Sequence, residues 1–265
     1  TNMKIVLIFI VAFTISHSSF CQSFDHARLQ AGIELYNKGQ YDSAIALLLE
    51  LKPKAAEAKD STAMQSIYTN LGNAYSVLGK MEISLGYYQK AMDVASQRKD
   101  LSGLAKITNN SGASYSDLKD FPKALEYFEE SEKIAEEIGD EETIADCANG
   151  KAVIYEQQNR FQEALNLYQK ALRIYQKYNA EERMALAYNN IGIVYKQTNN
   201  LDQTAYYYGK ALDMSQKIGA EYITTALHAN LANVYLQQKQ YQKAIESNYL
   251  AMQKAREIGA RSIST

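Results

Sequence analysis

The sequence is poor in the side chains that usually carry catalysis or bind metals. Its 265 residues include no tryptophan, two cysteines, three histidines and two prolines. Loss of the N-terminal leader described below leaves one cysteine, Cys147, which excludes an internal disulfide. It also leaves two histidines, His26 and His228, which lie too far from the thiol in the sequence to form a metal-binding motif. The sequence therefore predicts no metal site and no cofactor.

Patterns typical of catalysis and of nucleic-acid binding are missing as well. The sequence has no glycine-rich phosphate loop and no convincing Ser/His/Asp arrangement, so we assign no catalytic residue. Lys and Arg number 28 against 30 Asp and Glu, and this balance offers no basic surface for nucleic acid. A hydrophobic content of 46% with two prolines instead indicates an ordered, helix-rich protein.

One long apolar run lies near the start of the chain. Residues 5–15 read IVLIFIVAFTI, follow a single positive charge and precede small residues suited to cleavage between Cys21 and Gln22. We therefore predict a secretory signal peptide over residues 1–21 and export of the remainder, to the periplasm or as a secreted protein. A lipoprotein anchor on Cys21 is the alternative, which the large Phe20 disfavours. No other run in the sequence is long enough to predict a membrane span.

A forty-residue repeat organises the rest of the sequence. Tyrosine recurs at this spacing at Tyr75, Tyr115, Tyr155, Tyr195 and Tyr235. The residues three positions before this register are all small: Gly32, Gly72, Gly112, Ala152, Gly192 and Ala232. We predict repeats over residues 25–60, 61–100, 101–140, 141–180, 181–220 and 221–259, together one solenoid over 22–265. Such self-similarity indicates units that stack to bury their apolar faces.

Each unit is predicted to contain two helices. In the second helix, apolar and small residues follow helical spacing, as in the stripe Ala164, Leu165, Tyr168, Ala171 and Leu172. Asp120 followed by Pro122 predicts a helix start, and Pro53 predicts a kink or an early helix end. Left-handed C-caps are predicted at Gly139, Asn179, Gly219 and Gly259.

The small residue and the tyrosine three positions later share one face of the first helix. Gly or Ala lets another helix approach closely, and we expect the tyrosine ring to fill the space beside it. Truncating such a buried ring is expected to cost about 3–5 kcal/mol. At least one ring is expected to be exposed in each tyrosine cluster, 87–88 and 206–208. We expect His228 and Cys147 to be packed, and the acidic segment 126–142 to be a solvated helix face.

The repeat resembles the tetratricopeptide repeat. Gly-x-x-Tyr is followed by a small residue nine positions later, an aromatic four beyond and Ala three further, and the likeness extends over residues 25–259. NLGNAYSVLGK (70–80) and NNIGIVYKQTNN (189–200) are close to that family's first helix. The forty-residue period alone is nearer to HEAT and armadillo units, whereas the Gly, Tyr and Ala positions favour tetratricopeptide repeats with extended helices.

The resemblance carries expectations about fold and function. It implies an all-α, right-handed solenoid of about six helix-turn-helix repeats. It also implies a protein that binds peptides or protein partners and is not catalytic in itself. Long repeats ending in EIGD or KIGA resemble those of cell-polarity adaptors and of bacterial peptide-pheromone receptors.

Asparagines form a second forty-residue pattern on the first helices. Two positions before the small residue, four of the six units carry Asn: Asn70, Asn110, Asn190 and Asn230. We call these four the asparagine row. Asn73 and Asn233 fall on nearly the same face, which in tetratricopeptide superhelices lines the concave groove. Lys106 and Lys196 belong to that face too, but they are too few for the carboxylate clamp of some family members.

Two interpretations of the asparagines stay open at the level of sequence. A primary amide offers one acceptor and two donors, so the row and its neighbours could hold the backbone of an extended peptide. Alternatively, the asparagines could bond neighbouring repeats to each other. The first interpretation predicts a peptide-binding groove lined by Asn70, Asn73, Asn110, Asn190, Asn230, Asn233, Lys106 and Lys196.

Two functions from different classes fit these observations. One is an exported, non-catalytic scaffold that binds proteins or peptides. The other is the extracytoplasmic sensor region of a larger signalling protein, a histidine kinase or a membrane-tethered transcription regulator. Residues 260–265 correspond to the opening of a seventh first helix, so we expect the array to be truncated at Thr265. An uncovered last helix would otherwise be free for end-to-end self-association.

Overall fold

The described part of the chain is helical throughout. In this computed structural model, residues 24–263 are described, with side chains as far as Gly259, and the predicted signal peptide lies outside these residues. The helices are α1 (His26–Asn37), α2 (Tyr41–Glu57), α3 (Ser61–Val77), α4 (Met81–Arg98), α5 (Leu101–Asp117), α6 (Phe121–Ile138), α7 (Glu141–Gln157), α8 (Phe161–Lys177), α9 (Glu181–Gln197), α10 (Leu201–Lys217), α11 (Glu221–Gln237) and α12 (Tyr241–Ile263). Within residues 24–263 there is no strand, which confirms the predicted all-α class.

The helices stack as six consecutive pairs. Each helix packs against the next one along the chain, and from the second pair onward packing within a pair is more extensive than packing between pairs. The first helices α1, α3, α5 and α7 each also contact the first helix of the following pair. No contact between described residues reaches beyond the adjacent pair. The architecture is therefore a solenoid, and its stability is the sum of its pairs and their nearest-neighbour interfaces.

Every helix from α1 to α11 is followed by a residue in the left-handed conformation. These residues recur every twenty positions: Gly39, Lys59, Gly79, Lys99, Lys119, Gly139, Asn159, Asn179, Asn199, Gly219 and Lys239. The predicted left-handed C-caps are confirmed at Gly139, Asn179 and Gly219. The prediction is wrong at Gly259, because α12 continues to Ile263. Glycine also tolerates the helical conformation, so a glycine by itself does not force the chain into a turn.

The two proline predictions have different outcomes. Asp120 caps α6, and its side chain accepts a hydrogen bond from the Lys123 backbone N–H at 3.4 Å, with Pro122 in the first turn. At Pro53 the expected early helix end is wrong, because α2 continues to Glu57, whereas the expected kink stays a prediction. Pro53 lies on the exposed side of α2, where the carbonyl group left without its N–H partner can bond to water.

The core is built from second-helix rings that pack onto first-helix glycines. A Cβ atom on Gly72 would lie 2.4 Å from the Tyr88 ring, and one on Gly192 would lie 2.5 Å from the Tyr208 ring. The buried residues at this second-helix position are Leu48, Tyr88, Phe128, Tyr168 and Tyr208. The predicted second-helix stripe is confirmed, since Ala164, Leu165, Tyr168, Ala171 and Leu172 are all buried.

The expectation that the forty-residue tyrosines fill the space beside the small residue of their own helix is wrong. Tyr75, Tyr115, Tyr155, Tyr195 and Tyr235 are half-buried and pack against the edges of the hydrophobic clusters. Tyr75 stacks on Tyr87 with ring centroids 5.5 Å apart, and Tyr195 stacks on Tyr207 at 5.4 Å. The space beside the glycine is therefore filled by a ring from the second helix of the pair, and not by the tyrosine of the same helix.

The tyrosine clusters differ from each other in exposure. Tyr206 is 56% exposed, as expected for one ring of the cluster 206–208. In the cluster 87–88, however, Tyr88 is buried and Tyr87 is half-buried by its stacking on Tyr75. The expectation of an exposed ring is therefore confirmed in the cluster 206–208 and wrong in the cluster 87–88.

Two exposed glycines allow the turn geometry to be tested. Gly139 has φ +71°, whereas Gly86 lies inside α4, and at neither residue would an added Cβ atom meet another atom within 4 Å. Gly139→Ala should lower the free energy of unfolding by about 1 kcal/mol, because L-residues are strained in the left-handed region. Gly86→Ala should raise it by about 0.5–1 kcal/mol, because alanine is the better helix former. Chemical denaturation measures both, and effects of the same sign would contradict the assignment.

Candidate functional site

The asparagine row lies on the face formed by the first helices. Its members Asn70, Asn110, Asn190 and Asn230 are all half-buried. Asn70 donates to the backbone oxygen of Ser66 at 2.8 Å, within its own helix. Asn189 Nδ2 lies 3.5 Å from Asn190 Oδ1, at the long limit of a hydrogen bond. The side chain of Asn230 shows no hydrogen bond to any described residue, and Asn233 is exposed.

Two asparagines bond one repeat to the next. Asn73 Oδ1 accepts from the Tyr88 hydroxyl at 2.7 Å and from Asn110 Nδ2 at 3.1 Å. The three residues belong to α3, α4 and α5, so this network joins the second pair to the third. For Asn73 and Asn110 the geometry therefore favours the interpretation in which asparagines bond neighbouring repeats.

The two lysines predicted for this face are exposed. Lys106 Nζ lies 3.9 Å from Asp140 Oδ2, at the start of α7. Lys196 lies in the last turn of α9 and forms no ion pair with a described residue. The two side chains come from α5 and α9, with α7 between them. They are not adjacent cations of the kind that a carboxylate clamp requires.

A cleft of about 250 Å³ opens in the middle of this face, and we call it the central cleft. It is lined by Asn109, Ala113, Phe128, Asp146, Asn149, Gly150, Tyr175, Arg183 and Leu186. Seven of these residues come from the first helices α5, α7 and α9. The buried rings of Phe128 and Tyr175 come from second helices and form its floor. The cleft therefore belongs to three consecutive repeats.

Two amide oxygens in the central cleft are buried without a partner. Asn109 Oδ1 and Asn149 Oδ1 have almost no solvent-accessible area and no hydrogen-bond partner among the described residues. Buried polar atoms are nearly always bonded, either to protein or to ordered water, so these two oxygens are open to a donor from outside the described residues. The two residues occupy the same position in successive repeats, forty residues apart.

Sequence reasoning missed this pair by one residue. Asn109 and Asn149, together with Asn189, form a forty-residue series directly beside the asparagine row. The sequence therefore contained a pattern that indicates these residues. The prediction followed the asparagine row instead, because the row has more members. A shift of one residue rotates a side chain by about 100° around the helix, so the amides of the two series have different surroundings although all of these residues are half-buried.

The ion pair between Asp146 and Arg183 lines one side of the cleft. Asp146 Oδ1 accepts a hydrogen bond from the Tyr175 hydroxyl at 2.8 Å and pairs with Arg183 Nε at 3.0 Å. Arg183 also bonds Glu142 at 3.0 Å through Nη1. Burial raises the pKa of Asp146 above its ordinary value, and the positive charge of Arg183 acts in the opposite direction. The carboxylate is thus partly desolvated and faces a cleft rich in acceptors.

The ring of Phe128 explains why the asparagine row is interrupted at Gly150. A Cβ atom at this position would lie 2.4 Å from the Phe128 ring. Any side chain would therefore collide with the ring unless Phe128 moved. The same ring also lies 2.9 Å from a Cβ built on Gly112. Phe128 thus occupies space on both α5 and α7 and leaves no room for an asparagine at residue 150.

The remaining residues singled out in the sequence are two packed side chains and an acidic segment. His228 is 5% exposed, and Cys147 is buried with its thiol 3.2 Å from Ser131 Oγ. Burial raises the pKa of the Cys147 thiol to about 11, which makes it unreactive near neutral pH. The acidic segment is exposed at Glu129, Glu130, Glu136 and Glu137, but Glu132 is half-buried between Lys151 and Lys170.

Two classes of site are not found in the described part of the chain. No group of three His, Cys, Asp or Glu residues there is arranged to hold a metal ion. None of the described helices combines the length and apolarity needed to cross a bilayer.

Stacked helix pairs with rings on glycines define an α-solenoid of the helix-turn-helix type. The sequence profile of the tetratricopeptide repeat matches the chain in four overlapping windows, 63–137, 103–177, 143–217 and 183–257. The chain belongs to the tetratricopeptide repeat family. Among curated proteins, no sequence matches it.

Solved structures show the same fold at low sequence identity. BtubC from P. vanneervenii superposes with a TM-score of 0.66 and is 22% identical, with 87% of this chain and 92% of that one covered. A Rap protein complexed with competence and sporulation factor gives a TM-score of 0.70 at 12% identity, with coverages of 88% and 75%. NprR in complex with its cognate peptide NprX gives 0.64 at 17% identity, with coverages of 86% and 66%.

Proposed function

We propose that this protein is a non-catalytic scaffold that binds an extended peptide, or a peptide-like segment of a partner protein, on the face formed by its first helices. The single observation that carries the proposal is the pair of buried amide oxygens at Asn109 and Asn149 without described partners. A peptide backbone offers an N–H donor at almost every residue and so supplies what these oxygens lack. The other residues predicted for this face would extend the contact along it: Asn70, Asn190, Asn230, Asn233, Lys106 and Lys196. Asn73 and Asn110 would hold the neighbouring repeats together beneath the ligand.

The structural relatives support a protein of this class. NprR is solved with a cognate peptide and Rap with competence and sporulation factor, on the same fold. Amide contacts recognise main chain and demand little of the ligand's sequence, since each bond contributes about 0.5–1.5 kcal/mol net. Specificity would then come from side-chain contacts elsewhere on the face. The near neutrality of the chain disfavours a strongly charged ligand as a whole.

A sensor role is the second candidate, and one observation favours it. A signal-transduction ATPase from Pyrococcus horikoshii, described as having a tetratricopeptide repeat sensor, superposes with a TM-score of 0.68 at 21% identity. This chain spans 35% of that protein. We propose export of the array through the leader at residues 1–21, so the sensor would lie outside the cytoplasm. The sequence that follows Thr265 in the gene separates the two candidates, because an effector domain would support the sensor.

The proposal is tested by removing the two unpartnered amides. Linear peptides are first selected from a random phage-displayed library on the chain from Gln22 onward. The double variant Asn109→Ala, Asn149→Ala should bind them about tenfold or more weakly, since two net hydrogen bonds are lost. Its melting temperature should be unchanged or higher, because neither amide oxygen has a partner among the described residues and alanine is the better helix former.

A matched variant separates binding from stability. Asn166 is exposed on the second helix α8, away from the first-helix face, so Asn166→Ala should leave peptide affinity unchanged. Unchanged affinity in the double variant would contradict the proposal. So would a loss of affinity that only accompanies a loss of stability, because this would make the amides structural.

A further inference from the structure

We infer that the central cleft is a subsite for a primary ammonium group, supplied by the bound chain as its N-terminus or as a lysine side chain. This deepens the proposed function and rests on it, since the group belongs to a chain held on the first-helix face. The relevant observation is a set of acceptors without donors: Asn109 Oδ1 and Asn149 Oδ1 are unpartnered among the described residues, and Asp146 lines the same cleft. Arg183, the cation in the lining, is already paired with Asp146 and Glu142.

The number of donors on an ammonium group matches the number of these acceptor groups. It carries three N–H donors and no acceptor, which gives one donor for each amide oxygen and one for the carboxylate. Asp146 uses Oδ1 for both Tyr175 and Arg183, and its Oδ2 has no hydrogen-bond partner among the described residues. The Asp146 side chain is 25% exposed, so a ligand can reach it while much of its surface is shielded from water.

Charge around the cleft favours the same ligand. Four acidic residues lie on the cap and the first two turns of α7: Asp140, Glu141, Glu142 and Asp146. Three basic residues form ion pairs with them at 2.6–3.9 Å: Lys106, Lys177 and Arg183. The balance is one negative charge in excess, and partial burial strengthens its attraction for a cation. An anionic group would meet the Asp146 carboxylate and two oxygens that cannot donate, and it would compete with Asp146 and Glu142 for Arg183.

Size restricts what the cleft can hold. Its volume of about 250 Å³ is below the range of about 300–1,000 Å³ usual for pockets that enclose whole small molecules. It therefore suits one end group or one side chain of a longer ligand. The buried rings of Phe128 and Tyr175 on its floor suit the methylene stem of a lysine or the first residue of a chain.

The experiment uses n-butylammonium as the probe and the protein from Gln22 to Thr265, labelled with ¹⁵N. Titration should shift the side-chain NH₂ resonances of Asn109 and Asn149 along a saturable curve. The neutral analogue n-butanol should not produce these shifts. Asp146→Asn and, separately, Asn149→Ala should each weaken n-butylammonium about tenfold, as expected for hydrogen bonds to a charged group. Two variants are used because either one alone could disturb the local fold.

The chain offers a matched control for this titration. Asn189 occupies the position of Asn149 in the next repeat but does not line the cleft, so Asn189→Ala should leave n-butylammonium binding unchanged. The source of the ammonium is then resolved with peptides. Loss of binding on N-acetylation of a tetra-alanine amide identifies the N-terminus. Loss on replacing lysine by norleucine in an acetylated tripeptide amide identifies the side chain.

Three outcomes would overturn the inference. They are no shift at Asn109 and Asn149, an equal response to n-butanol, and binding that is insensitive to both variants. Library peptides that depend on Asn109 and Asn149 but bind equally well after acetylation and without lysine would also overturn it, while leaving the proposed function intact. Failure of all library peptides to bind, with n-butylammonium still bound in the cleft, would instead contradict the proposed function alone.

Discussion

Gly72→Ala is expected to lower the free energy of unfolding by about 1–3 kcal/mol, although a Gly-to-Ala change in a helix normally stabilises. The added Cβ would lie 2.4 Å from Cε1 and 2.5 Å from Cδ1 of Tyr88. Tyr88 is buried and its hydroxyl is held by Asn73, so the ring cannot move away without losing that bond. Chemical denaturation measures the loss, with Gly86→Ala as the control for helix propensity.

The fourth repeat shows how an alanine can be accommodated at this position. Ala152 replaces the glycine there, and the ring that faces it is Tyr168. The Tyr168 hydroxyl bonds Glu156 at 3.0 Å, one turn further along the first helix, whereas the Tyr88 hydroxyl bonds the residue next to Gly72. We attribute the tolerance of Ala152 to this different hydroxyl partner, which draws the ring along the helix.

This comparison supplies a rescue experiment. Ser76 occupies the position of Glu156 in the second repeat, so Ser76→Glu would offer Tyr88 the same partner. The double variant Gly72→Ala, Ser76→Glu should recover much of the stability lost in the single variant, with a coupling energy of about 0.5–3 kcal/mol. A neutral Gly72→Ala would contradict the steric argument, and a coupling near zero would contradict the hydroxyl argument.

The repeat architecture was predictable because its determinants are local. The period, the second-helix stripe at Ala164 to Leu172 and the turns at Gly139 and Gly219 follow from residues that are close in sequence. The ring that fills each glycine was not predictable in the same way. Aromatic residues recur with the same period at the register of Tyr75 and, from Tyr88 to Tyr208, at the register of Tyr88. The spacing alone does not show which of the two rings packs against the glycine of the paired helix.

The candidate site was only partly predictable for a related reason. The first-helix face could be inferred from the asparagine row, but Asn110 bonds Asn73 and so helps to join repeats. The unpartnered amides of Asn109 and Asn149 lie one position away, and their lack of partners among the described residues is a property of three-dimensional packing. The cleft itself depends on Gly150, whose missing side chain is explained by a ring from α6.

The second large effect is expected for that ring. Phe128→Ala should lower the free energy of unfolding by about 3–5 kcal/mol, as for other fully buried aromatics. The ring contacts the positions of Gly112 and Gly150, so its loss opens a cavity between the third and fourth repeats. In a solenoid such a loss weakens one nearest-neighbour interface. Hydrogen exchange should therefore show repeats one to three opening separately from the rest. Tyr115→Ala, which removes a half-buried ring from α5, should cost less than half as much.

The role of Phe128 can be isolated through Gly150, because the effect of a substitution there should change sign when the ring is absent. In the natural protein, Gly150→Ala brings a Cβ to 2.4 Å from the Phe128 ring and should destabilise by about 1–3 kcal/mol. In the Phe128→Ala background the same change should stabilise by about 0.5–1 kcal/mol, because the collision is gone and alanine is the better helix former. Denaturation of the four proteins in this cycle measures the reversal. If Gly150→Ala destabilises equally in both backgrounds, the ring is not the reason for the glycine, and the asparagine row is interrupted there by some other contact of α7.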